Sequence, residues 1–293
     1  MTALSGHRGP VWLASYMKSG NTWMRLMLMH ILKPVDERWT IDQEIPIGKG
    51  PLPRSSIERS SYIDTSLLSA QEQDLLRPRL CDFEALSDPE RCFFKSHDAY
   101  RFNVAGIPIH GKSAGQAALY LVRDPRDVVA SLSDFWGWSP DATIRFLNSP
   151  ESDLHGTPRR FSQQIFQKTL DWSSHVASWV EQDRVRMLLI RYEDLQAAPA
   201  FWLGRALDFL GISATTADIE RAVELTRFET LRRQEQAHGF PERFRPDTPF
   251  FRAGKSGAGR EMLGPERVAL IERMHGPMMQ RLGYLDTAVE THK

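Results

Sequence analysis

The sequence predicts an α/β fold: a central parallel sheet flanked by helices, read as one domain over residues 1–293 with its core at about 10–285. Three observations predict it. Short β-rich runs alternate with longer stretches of helical period. Ala117 to Arg123 is a continuous apolar run ending in a cation, as a fully buried central strand would be. Val11 to Tyr16 leads through Lys18-Ser19-Gly20 directly into an apolar helical stretch, the strand–turn–helix unit of such folds.

The elements follow in order. The first strand spans Val11 to Tyr16 and the first helix Asn21 to Leu32; Cys92 to His97 is a second short strand. After the strand at Ala117 to Arg123, Asp124-Pro125 suits a helix cap and first turn, and that helix reaches about Trp136. Apolar residues at 161, 165, 166, 172, 176, 179 and 180 predict an amphipathic helix from Phe161 to Val180. Val185 to Ile190 is the next strand, with helices at Pro199 to Leu210, Thr216 to Leu225 and Pro265 to Leu282. Much of Pro34 to Arg91, and nearly all of Arg232 to Arg260, lacks periodicity; loops that long in a compact domain are usually functional.

Bulk composition narrows the function classes. Lysine plus arginine equals aspartate plus glutamate, 37 against 37, so an anion site must come from local placement of charge. A nucleic-acid binder would carry basic excess, and none is expected as a partner. Two cysteines, Cys81 and Cys92, are too few for a disulfide framework or a zinc site, and read as free thiols. The N-terminus has no signal-peptide layout. The most apolar helical stretch, Trp23 to Leu32, contains Arg25 and is about half the length of a membrane span. A cytoplasmic chain without a membrane span is expected.

The turn after the first strand is the first candidate site. Backbone N–H groups at a helix start favour an anion, and Ser19, Asn21 and Thr22 add side-chain donors while Lys18 adds a charge. Lysine precedes the glycine, Gly20, so this is not the GxxxxGK[ST] loop of P-loop kinases. From local chemistry alone, a plain strand–helix turn with an exposed lysine reads equally well.

The segment Tyr16-Met17-Lys18-Ser19-Gly20-Asn21-Thr22-Trp23 resembles the phosphosulfate loop, YPKSGTTW, of the sulfotransferases that use 3′-phosphoadenosine 5′-phosphosulfate (PAPS). It departs at Met17 and Asn21. The resemblance implies that Lys18 contacts the oxygen bridging phosphorus and sulfur and that Trp23 stacks on adenine. Three more segments recur in the same order. Leu119 to Ser131 resembles the 3′-phosphate motif YxxRNPRDxxxS, giving that role to Arg123 and Ser131; Asp124 replaces its asparagine and is expected to cap the helix. Phe93-Phe94-Lys95-Ser96-His97 resembles the KTH segment, and Arg252-Ala253-Gly254 the RKGxxG loop, with Ala253 for lysine and Lys255 as a possible substitute. Thr226 with Phe228 resembles the adenine-flanking segment, and Tyr192 a nucleotide-side segment; core packing explains these aromatic residues nearly as well.

The resemblance implies the P-loop-like nucleotide-binding fold of that family and sulfuryl transfer from PAPS to a hydroxyl of a small acceptor, leaving 3′,5′-adenosine bisphosphate. His97 is the expected general base, since histidine titrates in a useful range, with Lys18 and Lys95 as catalytic cations. A sulfuryl group carries one negative charge, so lysines suffice and no metal is required. Phenols, alcohols, sugars, lipids and natural products all remain as acceptors, with Trp39, Trp136 and Trp138 either lining an apolar slot or, the commoner fate, packing in the core. The sequence leaves oligomeric state open. Two rivals stand beside this reading. A kinase-like P-loop protein would need a lysine after the last loop glycine; a non-catalytic nucleotide binder would bind the bisphosphate tightly without transfer.

Overall fold

The computed structural model describes residues 9–32, 39–48, 54–87, 93–154, 164–252 and 254–286. Four parallel strands form the central sheet in the order β2-β1-β3-β6: β1 Val11–Ser15, β2 Phe93–Ser96, β3 Ala117–Val122 and β6 Arg186–Arg191. β1 sits between β2 and β3, with Leu13 opposite both Lys95 and Leu119, and β3 pairs β6 from Ala117↔Arg186 to Val122↔Arg191. All four carboxyl ends therefore lie at one edge of the sheet, where open α/β folds bind ligands.

Side-chain alternation divides the core in two. Val11, Leu13, Leu119 and Leu121 face helix α1 (Asn21–Leu32), with Leu203, Leu207 and Ala222 behind it from α8 (Pro199–Leu210) and α9 (Thr216–Leu225). Trp12, Ala14, Ala118, Tyr120 and Val122 face the opposite layer: α4 (Pro125–Trp136), α6 (Trp172–Val180) and α12 (Pro265–Arg281). The first helix is apolar nearly all round because the strand layer and Ile41, Ile45 and Ile47 cover it from both sides. Met24, Met27 and Met29 are fully buried core residues there. Among the described residues no helix is long and apolar enough to cross a membrane, and no group of three or more His, Cys, Asp and Glu could hold a metal ion.

Several sequence readings need correction. Phe161 to Val180 is not one helix. Residues 161–163 lie outside the described residues, Gln167–Lys168 (β5) pairs antiparallel with Asp153–Leu154 (β4), and Leu170 takes the left-handed conformation at φ 59°. The helix starts only after Asp171, whose carboxylate accepts from the Ser174 N–H at 3.0 Å. Ile165 packs under a separate small cluster with Ile57 and Leu80. Pro34 to Arg91 also holds more structure than its sequence pattern predicts: α2 (Arg54–Ser61) and α3 (Ala70–Ser87) cross it. Pro78 lies inside α3, and exposed Leu75, Phe83 and Leu86 alternate with buried Asp74 and Arg77, so no clean apolar stripe marks the helix. In the second irregular stretch, Arg232 to Arg260, α10 (Phe228–His238) and α11 (Ala258–Leu263) leave only the segment between them aperiodic. α5 (Pro140–Leu147) follows α4, and residues 155–160 are outside the described residues. Cys81 is a buried free thiol, and Cys92 lies outside the described residues.

The three tryptophans pack rather than gather in one slot. Trp39 meets the ring of His30 at 6.0 Å on α1, while Trp136, Trp138 and Phe146 cluster where α4 meets α5. Asp124 caps α4, its carboxylate accepting from the Arg126 N–H at 2.9 Å, and Gly137 closes that helix in the left-handed region.

Candidate functional site

The loop after β1 places Lys18 at φ 61°, a left-handed backbone for a residue with a side chain, which costs on the order of 1–2 kcal/mol and recurs where function holds the chain in place. Gly20 follows at φ 94°, and a Cβ there would lie 2.7 Å from the Tyr192 ring. Gly20→Ala is therefore expected to cost about 1–2 kcal/mol from backbone alone, read as a lower urea midpoint at unchanged slope.

Arg123 ties the cradle together. Leaving the end of β3, it donates to the Lys18 carbonyl at 3.3 Å and the Lys255 carbonyl at 3.0 Å, and its guanidinium lies 4.4 Å from the centre of the Tyr192 ring. Its buried Nε has no hydrogen-bond partner, so a donor remains for a ligand. Trp23 lies 6.1 Å from Tyr192 and donates to the Thr226 carbonyl at 2.9 Å. Thr226 thus acts through its backbone; its hydroxyl turns inward to the Ala222 carbonyl at 2.7 Å. Phe228 abuts Gly254, where a Cβ would fall 2.3 Å from its ring. Arg252 pairs with Asp134 at 2.6 Å, one turn of α4 beyond Ser131, so both reach the same helix face. Ala253 lies outside the described residues, and Lys255 is exposed.

All three predicted side-chain donors of the first loop are already engaged, Thr22 by the Glu242 carboxylate at 2.8 Å. Asn21 turns back to β1, donating to the Leu13 carbonyl at 2.7 Å, and braces the helix start against the strand. The Ser19 hydroxyl is fully buried, 3.5 Å from the Met17 carbonyl. The backbone N–H groups of this loop are the donors left to an anion.

Lys18 places its ammonium over the rings of Phe135 and Phe250, 4.3 and 3.9 Å from their centres. Burial, and then Arg123 and Lys95, bring its pKa down to about 7 against the pull of Glu242 and Glu235. His97, just past β2, lies with Nδ1 3.0 Å from the Ser15 carbonyl. A carbonyl can only accept, so this contact assigns the proton to Nδ1 and leaves Nε2 with its lone pair. Burial, followed by Lys95, pushes the imidazole down to about 3, so it is neutral across ordinary pH.

A second layer, not evident in the sequence, holds His97 in place. Gln167 accepts from its N–H at 3.2 Å, and His175, itself bonded to the Tyr120 hydroxyl at 2.8 Å, reaches its carbonyl at 3.3 Å. Asp98, fully buried, is held by Arg77 at 2.5 Å. The C-terminal loop is fixed likewise. Buried Glu235 accepts from the Phe250 and Phe251 N–H groups at 2.7 and 2.9 Å. Asp127 accepts from Gly257 and Gly259 at 2.8 and 2.7 Å.

The residue least expected here is Glu242. Its carboxylate bonds Thr22 Oγ1 at 2.8 Å, Lys95 Nζ at 3.3 Å and Arg25 Nη1. Burial alone would raise its pKa, but Lys95 and Arg25 outweigh that and hold it well below the usual carboxylate range. No sequence signal marked it, since it stands in an aperiodic loop.

Cations, a lone-pair imidazole and an aromatic-walled cradle thus converge at one sheet edge from β1, β2, β3 and the C-terminal loop. Cytosolic sulfotransferase 17 of Arabidopsis thaliana is 24% identical over 94% of this chain and 75% of that protein. Flavonol 3-sulfotransferase of Flaveria bidentis is 23% identical over 92% and 81%. Among solved structures, mouse sulfotransferase SULT7A1 complexed with PAP superposes with a TM-score of 0.59 at 16% identity, covering 95% of this chain and 88% of that one. Retinol dehydratase in complex with androsterone and PAP gives 0.61 at 19%, covering 98% and 84%. At those identities the structural likeness speaks for the fold. A sulfotransferase domain model matches residues 8–283, nearly the whole length, and the chain belongs to the sulfotransferase family.

Proposed function

We propose that the chain transfers the sulfuryl group of PAPS to a hydroxyl of a small acceptor, with His97 as base and Lys18 and Lys95 as the cations at the reacting group. The observation that carries this reading is the convergence of Lys18, Arg123 and His97 at one sheet edge, with Arg123 Nε still unpartnered and Lys18 lying over rings. The residues present fit such a nucleotide. Trp23, Tyr192 and Phe228 offer aromatic faces for adenine, and Arg123, Ser131 and Arg252 are the groups that would hold a ribose phosphate. Ala253 would be part of that loop.

His97 Nε2 takes the proton of the acceptor hydroxyl as its oxygen bonds to sulfur. The bond from sulfur to the phosphate oxygen breaks on the opposite side, its electron pair staying on that oxygen, which Lys18 neutralises. The products are a sulfate ester and 3′,5′-adenosine bisphosphate. Lys95 offsets charge on the sulfuryl oxygens. It is also the second cause of the low His97 pKa, after burial. One relative is named for a flavonol acceptor, which agrees with a small hydroxyl-bearing acceptor.

Ligand-dependent melting tests the donor. The bisphosphate at about 100 times its Kd should stabilise the protein by about 2.7 kcal/mol, while ATP with magnesium should leave the midpoint unmoved. The reverse pattern would return the kinase-like alternative.

A further inference from the structure

We infer that Arg25 is a further cation for the sulfuryl group and that Glu242 is a resident carboxylate holding its place until the donor arrives. This rests on the donor reading above.

The carboxylate of Glu242 is bound the way an oxyanion of a ligand would be. Three donors from two elements surround it: Thr22 and Arg25 from successive turns of α1, and Lys95 from β2. Thr22 belongs to the loop assigned to the 5′-phosphosulfate, and Lys95 is assigned to the sulfuryl oxygens, so the carboxylate stands at the sulfuryl end of the donor site. Arg25 completes the set from below. Its residue is 5% exposed, and Nε and Nη2 both reach the Ile47 carbonyl, at 3.3 and 3.1 Å, which fixes the guanidinium plane and leaves Nη1 aimed into the cradle. An arginine so buried beside an apolar helix has one charged partner among the described ion pairs, and that partner is Glu242.

A carboxylate and an anionic sulfuryl group cannot share these hydrogens. The site is too cationic for Glu242 to leave by protonation, because the same cations hold it ionised. It must swing out instead. The loop allows this at a side-chain level: Glu235 and Asp127 pin its later residues by backbone N–H groups, while the Glu242 carboxylate holds on only through the donors a sulfuryl group would take. Once vacated, Arg25 Nη1, Lys95 Nζ and Thr22 Oγ1 face the incoming oxygens. The bisphosphate product has no sulfuryl group and competes with Glu242 less. Re-entry of the carboxylate after transfer would then favour the product-shaped site over a second PAPS.

The test compares PAPS and 3′,5′-adenosine bisphosphate on the full chain, by calorimetry without acceptor. Glu242→Gln removes the competing charge and should tighten PAPS about tenfold, the factor lost when only about a tenth of the molecules are open; bisphosphate affinity should change far less. PAPS binding no tighter than in the unaltered chain overturns the gate. Arg25→Met in the Glu242→Gln background avoids leaving an unpaired charge. It should keep bisphosphate affinity and lower kcat about a hundredfold relative to Glu242→Gln alone. Arg25→Lys in that background should recover part of the loss, and it carries the test should the methionine variant not fold. Equal kcat in either variant and in Glu242→Gln would make Arg25 a mere brace for Ile47. Absence of bisphosphate binding even to the unaltered chain would instead remove the donor reading itself.

Discussion

His97→Ala is expected to abolish measurable sulfuryl transfer while leaving bisphosphate affinity unchanged. The imidazole is fixed at Nδ1 by the Ser15 carbonyl, while Gln167 and His175 hold the residue's backbone N–H and carbonyl. General-base catalysis contributes about a hundredfold to ten-thousandfold. Labelled-sulfate transfer and calorimetry on the same preparation check both halves. Transfer within threefold of the unaltered rate would take His97 out of the mechanism. The pH profile carries a second signature. With its pKa near 3, His97 in the free protein stays neutral, so kcat/KM should show no acid limb between about pH 5 and 7.

Lys18→Met is the second large loss, about a hundredfold or more in kcat for one missing electrostatic donor. Its pH behaviour separates it from a structural defect. Lys18 has a pKa of about 7 in the free protein, and an anionic phosphosulfate beside it raises that value. Binding must therefore take up a proton in the window above pH 7. Nucleotide affinity should fall as pH rises from there, until the pKa of the bound form is passed. Calorimetry in two buffers of different ionisation heat reads the proton directly, and the methionine variant should show none. The same depression has a folding side. The unfolded chain binds this proton up to about pH 10.5 and the folded one only to about 7, so between them the unfolded state holds more protons. Stability gains from Lys18 as pH rises through that window, and below it the buried charge is a cost that Lys18→Met removes.

Much of this was legible in residues alone, and the reasons differ by element. Asn21–Leu32 and Pro125–Trp136 have the bounds expected because local signals agree: an Asp-Pro cap with a trailing glycine at one, a Lys-Ser-Gly turn at the other. The residues that meet at the sheet edge were readable because strand ends are marked by an apolar run giving way to a charged or polar residue. What could not be read were contacts that owe nothing to local period. Glu242 reaches Thr22 and Arg25 across more than 200 positions. In the sequence Arg25 is only a charge interrupting an apolar stretch, and Asn21, a ligand donor by residue type, turns its amide to the strand. The false helix over 161–180 arose because Ile165 and Phe166 fall on the periodic face by coincidence, and nothing in the letters foretells a left-handed Leu170.

The bonds from Arg123 to the carbonyls of residues 18 and 255 link the two ends of the folded unit through its middle. As the chain emerges from a ribosome, all four sheet strands are available once residue 191 has passed, yet the cradle lacks its final wall until residue 255 follows. The core layer that α12 supplies comes later still, so the cradle and the last of the scaffold are completed together at the end of synthesis.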